Sequence, residues 1–315
     1  IMRLIVGPKA NRNYLAKVVK IEHFKPHTDP EVNKLKCCVI DGFNIICGID
    51  SQPGWYIYFP TACCLNPDLL RFANLYRHKE LNNDPEQSGM FDDNGLLLGD
   101  VIRVNDKIYM YYVGFQIPQK AKFMANSGLA ISEDGGNTFH RIQSTPILDR
   151  VPNAPFGRCI HSVLQDEGVF KIWYSVIYGW HYIDGKPFPA YDIRYVESMD
   201  GVHINDNEGI HCLYVNENEY RIGRPRVIKR DDNVYEMRFT ADTLDKQYIS
   251  GMAFSSDGKK WVRDDDYLPL LPSEEGWNSE MACYPVEIET KYGTYLFYDG
   301  NGMGATGFGY AEIHK

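Results

Sequence analysis

Val101-Ile102-Arg103-Val104-Asn105-Asp106-Lys107-Ile108-Tyr109-Met110-Tyr111-Tyr112 reads as an apolar strand, a polar Asn-Asp turn and an aromatic-rich return strand. Short β-branched and aromatic runs around such a turn are the signature of a hairpin. The pattern returns at Val163 to Tyr174 around Asp166-Glu167-Gly168, and at Val227 to Phe239 around Asp231-Asp232-Asn233. It returns more loosely from Val286-Glu287-Ile288 to Tyr295-Leu296-Phe297-Tyr298. A third strand ending in Asp-Gly follows the first three hairpins: Ala130-Ile131-Ser132-Glu133-Asp134-Gly135, Val196-Glu197-Ser198-Met199-Asp200-Gly201 and Phe254-Ser255-Ser256-Asp257-Gly258. With a short outer strand after each turn, every unit holds four strands at a period of about sixty residues, which predicts an all-β propeller and excludes helical arrays.

Working outward, Met90-Phe91-Asp92-Asp93-Asn94-Gly95 stands immediately before the first hairpin and marks a change of pattern. Asn94-Gly95 favours a tight reversal, with Asp92 and Asp93 at its rim. Upstream of it, Leu15 to Ile21, Leu35 to Ile40, Phe43 to Cys47 and Trp55 to Pro60 read as short strands with tight turns, which suggests a small barrel over residues 1–89. The expected organisation is therefore a barrel-like segment over 1–89 and a propeller over 90–315.

The residues carry two resemblances. Val18-Val19-Lys20-Ile21, Leu35 to Phe43, Gly54 to Pro60 and Leu75-Tyr76-Arg77-His78-Lys79-Glu80 resemble the OB-fold domain of phage and bacterial RNA ligases, over residues 14–95. Those ligases need a Lys-x-Asp-Gly motif, and none occurs here, so that chemistry does not carry over. What the resemblance implies is a nucleic-acid partner for the N-terminal segment, with Lys17, Lys20, Lys34, Lys36, Phe43 and Trp55 as backbone and stacking contacts.

Residues 89–313 resemble the five-bladed propellers of glycoside hydrolases of the arabinanase, xylosidase and invertase type. The resemblance rests on Gly89-Met90-Phe91-Asp92-Asp93-Asn94-Gly95, Gly223-Arg224-Pro225, Gly276-Trp277-Asn278-Ser279-Glu280-Met281-Ala282-Cys283-Tyr284-Pro285 and Tyr298-Asp299-Gly300-Asn301-Gly302. It implies a carbohydrate substrate and carboxylates at the start of the innermost strands. Glycosidic cleavage needs one carboxylic acid to protonate the leaving oxygen and a second carboxylate to activate water or attack carbon. Glu280, beside Trp277 and Tyr284, is the expected acid, because apolar neighbours favour the protonated form; Asp92 or Asp93 is the expected ionised partner. The family's further aspartate is replaced at the matching positions by Arg158, His161 and Arg224, which suits an acidic sugar. Trp277, Tyr284 and Asn301 complete the expected substrate contacts, and Trp173, Trp180 and Tyr182 offer stacking surfaces.

Composition bounds the reading. The 315 residues are 44% hydrophobic and carry a net charge of −9. Residues 1–95 hold 11 basic and 11 acidic side chains, whereas 96–315 hold 22 and 31. The whole deficit is downstream, which argues against that part clamping a nucleic-acid backbone. None of the eight cysteines forms Cys-x-x-Cys, and buried thiols are expected; no His, Cys or carboxylate spacing predicts a metal, and no cofactor is expected. No apolar run is long enough for a membrane span or signal peptide, so a cytoplasmic location without a membrane partner is expected. Ile1 ahead of Met2 hints at a fragment or a translated frame.

Three functions remain open at this stage: a glycoside hydrolase, a carbohydrate-binding propeller without catalysis, and a nucleic-acid-binding protein led by the N-terminal segment. Four units downstream and a barrel-like segment upstream also predict a ring not completed by residues 1–89, with a protease-sensitive junction near 82–90 that releases a separable barrel.

Overall fold

The computed structural model describes residues 89–94, 96–134, 139–205, 208–230, 232–244, 248–264, 271–290, 293–301 and 308–313, and the backbone of five strands within 1–88. In chain order the strands are β1 (Arg3–Val6), β2 (Tyr14–Ile21), β3 (Leu35–Ile40), β4 (Asn44–Ile49), β5 (Tyr56–Tyr58), β6 (Leu96–Val104), β7 (Lys107–Gln116), β8 (Met124–Ser132), β9 (His140–Arg141) and β10 (Gly157–Asp166). They continue with β11 (Val169–Ile183), β12 (Lys186–Ser198), β13 (Ile210–Leu213), β14 (Glu219–Lys229), β15 (Tyr235–Thr243), β16 (Tyr248–Ser255), β17 (Val262–Arg263), β18 (Cys283–Thr290), β19 (Gly293–Asp299) and β20 (Phe308–Ile313). All regular elements among the described residues are strands.

Two compact units emerge, one formed by Asn74–Lys246 and Gly251–Asp264, the other by Ile1–Ala73, Gln247–Ser250 and Asp265–Lys315. In the first, β6 to β9 form one antiparallel meander and β10 to β13 another. A two-residue parallel pairing, Gly157↔Ala125 and Arg158↔Asn126, joins them into one sheet. The third hairpin gives the sheet β14-β15-β16-β17. The repeats read from the sequence are thus strand meanders of the expected kind.

Local chemistry explains their regularity. In each Asp-Gly turn the preceding serine bonds to the aspartate: Ser132 Oγ to Asp134 at 2.7 Å, Ser198 Oγ to Asp200 at 3.1 Å and Ser255 Oγ to Asp257 at 3.0 Å. Asp200 Oδ1 accepts from the amides of Val202 and His203, and Asp257 Oδ1 from those of Lys259 and Lys260. Such side-chain to backbone bonds terminate a strand and reverse the chain. Gly201 and Gly258 sit at φ of +73° and +74°, a region costly for other residues. Their carbonyls accept from aromatic side chains of distant strands: Tyr111 Oη to Gly201 at 2.9 Å, and Trp173 Nε1 to Gly258 at 2.8 Å.

The core of this unit is aromatic and β-branched. Trp173, fully buried, lies 5.3 Å from Tyr195, 6.2 Å from Tyr235 and 6.3 Å from Trp261, ring centre to ring centre, so it is core and not a sugar platform. Every residue of β15 is buried, as expected of a strand covered on both faces. Cys159 and Cys212 are buried free thiols, as is Cys283 in the other unit, in line with expectation. Burial pushes the Cys159 thiol up to about 12, with Arg224 pulling the other way.

In the second unit the sheet order is β1-β2-β20-β19-β18, and β3-β4-β5 form a separate antiparallel sheet. β2 runs antiparallel to β20, with Tyr14↔Ile313 and Ile21↔Phe308 at its ends. An N-terminal strand thereby covers an edge that β20 would otherwise present unpaired. The side chains of Lys17, Lys20, Lys34, Lys36, Phe43 and Trp55 lie outside the described residues, as does most of the expected barrel over 1–89.

Candidate functional site

The strand that opens each meander is interrupted near its start. The ladder shifts register between Leu98 and Asp100 in β6, between Ile160 and Ser162 in β10, between Gly223 and Arg226 in β14, and between Cys283 and Val286 in β18. The extra residues are Gly99, His161, Arg224-Pro225 and Tyr284-Pro285. Three of these positions include a residue that the sequence placed at the substrate: His161, Arg224 and Tyr284. Arg224 and Tyr284 adopt φ of +56° and +55°, each directly before a proline. A bulky residue held there costs on the order of 1–3 kcal/mol, and bulges and strain of this kind concentrate beside functional sites. A proline after Gly-Arg or Cys-Tyr inside a strand pattern is the signal that announces such a bulge.

Within the first unit, His161 and Arg224 come together. The Arg224 amide donates to Ser175 Oγ at 3.3 Å, and Ser175 stands opposite Cys159 in the β10–β11 ladder. One step further, the Val227 amide donates to Ser162 Oγ at 3.0 Å, which ties β14 to β10. His161 is buried and its Nδ1 has no hydrogen-bond partner. Burial, then the charges of Arg224 and Arg226, hold its pKa well below the usual histidine value, so the ring is neutral at neutral pH. Arg158 makes a bond of its own. It is also buried, but its Nε donates to the Asp149 carbonyl at 2.5 Å, toward the β8 side of the strand.

Two residues not singled out from the sequence complete the arrangement. Asp100 accepts from Arg226 Nη1 at 2.9 Å and from the Val163 amide at 2.6 Å, so one carboxylate links β6, β10 and β14. Burial raises its pKa, against the pull of Arg226 and of the backbone donors. Only the long sequence separation hid this pair, because neither residue carries a local motif.

Asp92 and Asp93 sit on a turn that is pinned to the end of β7, with the Asn94 amide donating to the Phe115 carbonyl at 3.0 Å and Asn94 Oδ1 accepting from Ile117. Asp92 is buried and its Oδ2 is 2.5 Å from Arg141 Nη2, while Arg141 Nε donates to Tyr112 Oη at 3.2 Å. Asp93 is less buried and accepts from the Gly89 amide at 2.8 Å. Asp93 is therefore the more accessible of the two carboxylates.

In the second unit the expected residues divide differently. Trp277 is buried and stacks on Tyr298 at 5.4 Å, and Tyr284 is buried with its hydroxyl 2.9 Å from that of Tyr248. Both are core side chains, whereas Glu280, expected beside them as the acid, is exposed. Asn301 binds the backbone instead of presenting its amide outward. Its Oδ1 accepts from the amides of Glu280 (2.6 Å) and Met281 (3.1 Å), and its Nδ2 donates to Gly276 (3.2 Å). Asn301 thereby sets the backbone that carries Glu280. Trp180 packs edge-on against Phe123 and Phe156, and Tyr182 is 75% exposed on the extended β11–β12 hairpin.

Comparison with solved structures places this architecture among glycoside hydrolases with propeller-like folds. The protein superposes on a solved glycoside hydrolase with a TM-score of 0.55 and 16% identity, over 86% of this chain and 77% of that one. A thermostable family-43 glycoside hydrolase gives 0.52 and 17%, over 68% and 69% of the two chains. The endo-arabinase of Bacteroides thetaiotaomicron VPI-5482 gives 0.51 and 12%, over 73% and 78%. The fold is thus all-β and similar to the propeller-like fold of these enzymes. No protein-family model matches the sequence. Over 233 residues the chain is 32% identical to the uncharacterized protein Rv1502 of Mycobacterium tuberculosis (strain ATCC 25618 / H37Rv), covering 73% of this chain and 75% of that protein. Protein MT1551 of strain CDC 1551 / Oshkosh matches to the same extent. The chain belongs to the family of these mycobacterial proteins.

Proposed function

We propose that the protein acts on a glycan as a glycoside-hydrolase-like propeller, with Glu280 as the proton donor and Asp93 or Asp92 as the ionised partner. The observation that carries this reading is the bulge repeated at the start of the four opening strands, which holds Arg224 and Tyr284 in strained conformations. Bulges gather beside functional sites, so their recurrence at the start of the opening strands fits a binding surface there. Glycoside hydrolases among the structural neighbours support a carbohydrate as the ligand.

A second reading, carbohydrate binding without cleavage, is favoured by the exposure of Glu280, since a general acid works best where burial raises its pKa. The two readings part in one experiment. Purified protein is incubated with neutral and uronic-acid-containing oligosaccharides, and released reducing ends and binding are measured together. Hydrolysis by the wild type that vanishes in Glu280→Gln, with binding retained, is the expected result. Binding without any product selects the second reading, and full activity in Glu280→Gln removes Glu280 from the mechanism.

A further inference from the structure

The β11–β12 hairpin overshoots the sheet it belongs to. The β10–β11 ladder ends at Gly157↔Ile177, whereas β11 and β12 stay paired from Gly179↔Ala190 out to Ile183↔Lys186. At about 3.4 Å a residue, Gly179, Trp180, His181 and Tyr182 carry this two-stranded ribbon roughly 14 Å past the start of β10. Asp92 and Asp93 precede β6, whose first residue Leu96 pairs with Gly114 near the end of β7, and β8 begins at that same end through Met124↔Gln116. With Gly157 beside Ala125, the ribbon projects from the end of the meanders that carries these two carboxylates.

A two-stranded ribbon alone is marginal in water, and this one is held on both faces. Side chains alternate along a strand, so Trp180 and Tyr182 share one face and His181 takes the other. Trp180 meets Phe123 and Phe156 edge-on at 5.2 and 5.6 Å, while His181 and Phe188 meet Tyr220 of β14 at 5.7 and 6.1 Å. The tip is Asp184-Gly185, at φ of +51° and +73°, a tight reversal that fixes the register of the ribbon. Tyr182 ends the Trp180 face, is 75% exposed, and makes no hydrogen bond or ring contact with the described residues. Scattered exposed aromatics are ordinary, but one fixed on a braced ribbon at the end of the candidate site needs a reason.

We infer that this ribbon is a glycan-binding arm, and that the Tyr182 ring is the platform on which a sugar unit of an oligosaccharide stacks. A sugar ring has a C–H face rimmed by hydroxyls, and tyrosine offers a flat apolar face with a hydroxyl at its edge, so the two suit each other. Pro187, opposite Tyr182 in the ladder, extends the apolar surface on the same face. Because the ribbon is already braced, little freedom is lost when a ligand settles on it. This inference rests on the reading of the ligand as a glycan and adds its length: a single sugar at the Asp92-Asp93 turn leaves Tyr182 uncovered, and a chain of sugars covers both.

Calorimetric titration of the intact chain with arabino-, xylo- and galacturono-oligosaccharides, from dimer to octamer, tests it. In at least one series the affinity of the wild type rises with length, and Tyr182→Ala removes about tenfold of that rise, the order expected when one aromatic ring loses its cover. Tyr182→Phe keeps the ring and keeps the rise, which separates stacking from a hydrogen bond made by the hydroxyl. The inference is overturned if Tyr182→Ala retains the full rise, if it weakens every length equally, or if the wild type binds with no dependence on length. Because binding and not cleavage is read, the outcome is separable from the hydrolase reading: a length-dependent affinity carried by Tyr182 without any product refutes only hydrolysis. Absence of binding by every series at every length refutes the glycan reading, and this inference with it.

Discussion

Asp92 and Arg141 form a pair in which both side chains are at most 10% exposed, and removing one partner of such a pair strands the other's charge in the interior. Arg141→Met is therefore expected to cost about 3–5 kcal/mol, read as a fall in the urea midpoint with an unchanged slope. Asp92→Asn in the same background should recover part of that loss; no recovery would mean that Arg141 acts by packing on Tyr112. Asp166 supplies a pH dependence. Burial works to raise its pKa but is outweighed by hydrogen bonds from Lys171 (2.8 Å), Lys229 and Tyr235, which hold the carboxyl well below the usual range. A depressed folded-state pKa means that stability is present above the unfolded value, near 4, and is lost as the pH falls below it. Wild type minus Asp166→Asn should thus show a stability difference at pH 7 that shrinks on acidification below about 4. A difference that grows there would contradict the assignment.

At the scale of the element, the Ser-x-Asp-Gly turns at Gly201 and Gly258 do two things at once: they end a strand locally and offer a glycine carbonyl to an aromatic donor far along the chain. A Cβ on Gly201 would stand 2.5 Å from Tyr111 Oη and 2.6 Å from the Phe170 ring, in addition to the strain of its φ. Gly201→Ala is expected to destabilise by about 1–3 kcal/mol, seen as a lower thermal midpoint. Gly168→Ala has open space within 4 Å and only a φ of +80° against it, so its cost should be the smaller. Equal effects would mean that the contact with Tyr111 is immaterial.

For the whole molecule, the pairing of β2 with β20 bears on how the N-terminal segment behaves. The sequence predicts a protease-sensitive junction near 82–90 and a separable N-terminal piece. With β2 hydrogen-bonded along β20, a chain nicked there should stay together on size exclusion under native conditions, the N-terminal fragment leaving only in denaturant. Release of that fragment in native buffer would show that the strand pairing does not hold it. Deleting residues 1–21 uncovers β20, and the expected outcome is aggregation at concentrations where the intact chain remains dispersed.

The meanders and their turns were legible residue by residue, because strand alternation, Asn/Asp/Gly turns and Ser-x-Asp-Gly bonds depend on neighbours close in the chain. His161, Arg224 and Tyr284, expected from the sequence at the substrate, fall at the bulges of the opening strands. What the linear order could not decide is what each side chain faces. Trp277 and Tyr284 proved to be core, Asn301 a backbone brace, and Arg158 a donor to the Asp149 carbonyl. Asp92 lies 49 residues from Arg141, and Asp100 lies 126 from Arg226. Partners so far apart meet only when several sheets have formed, and a one-residue bulge reverses the facing of everything after it. Local chemistry therefore determined the repeated strands and turns of this protein, and tertiary packing alone decided which of their charges meet.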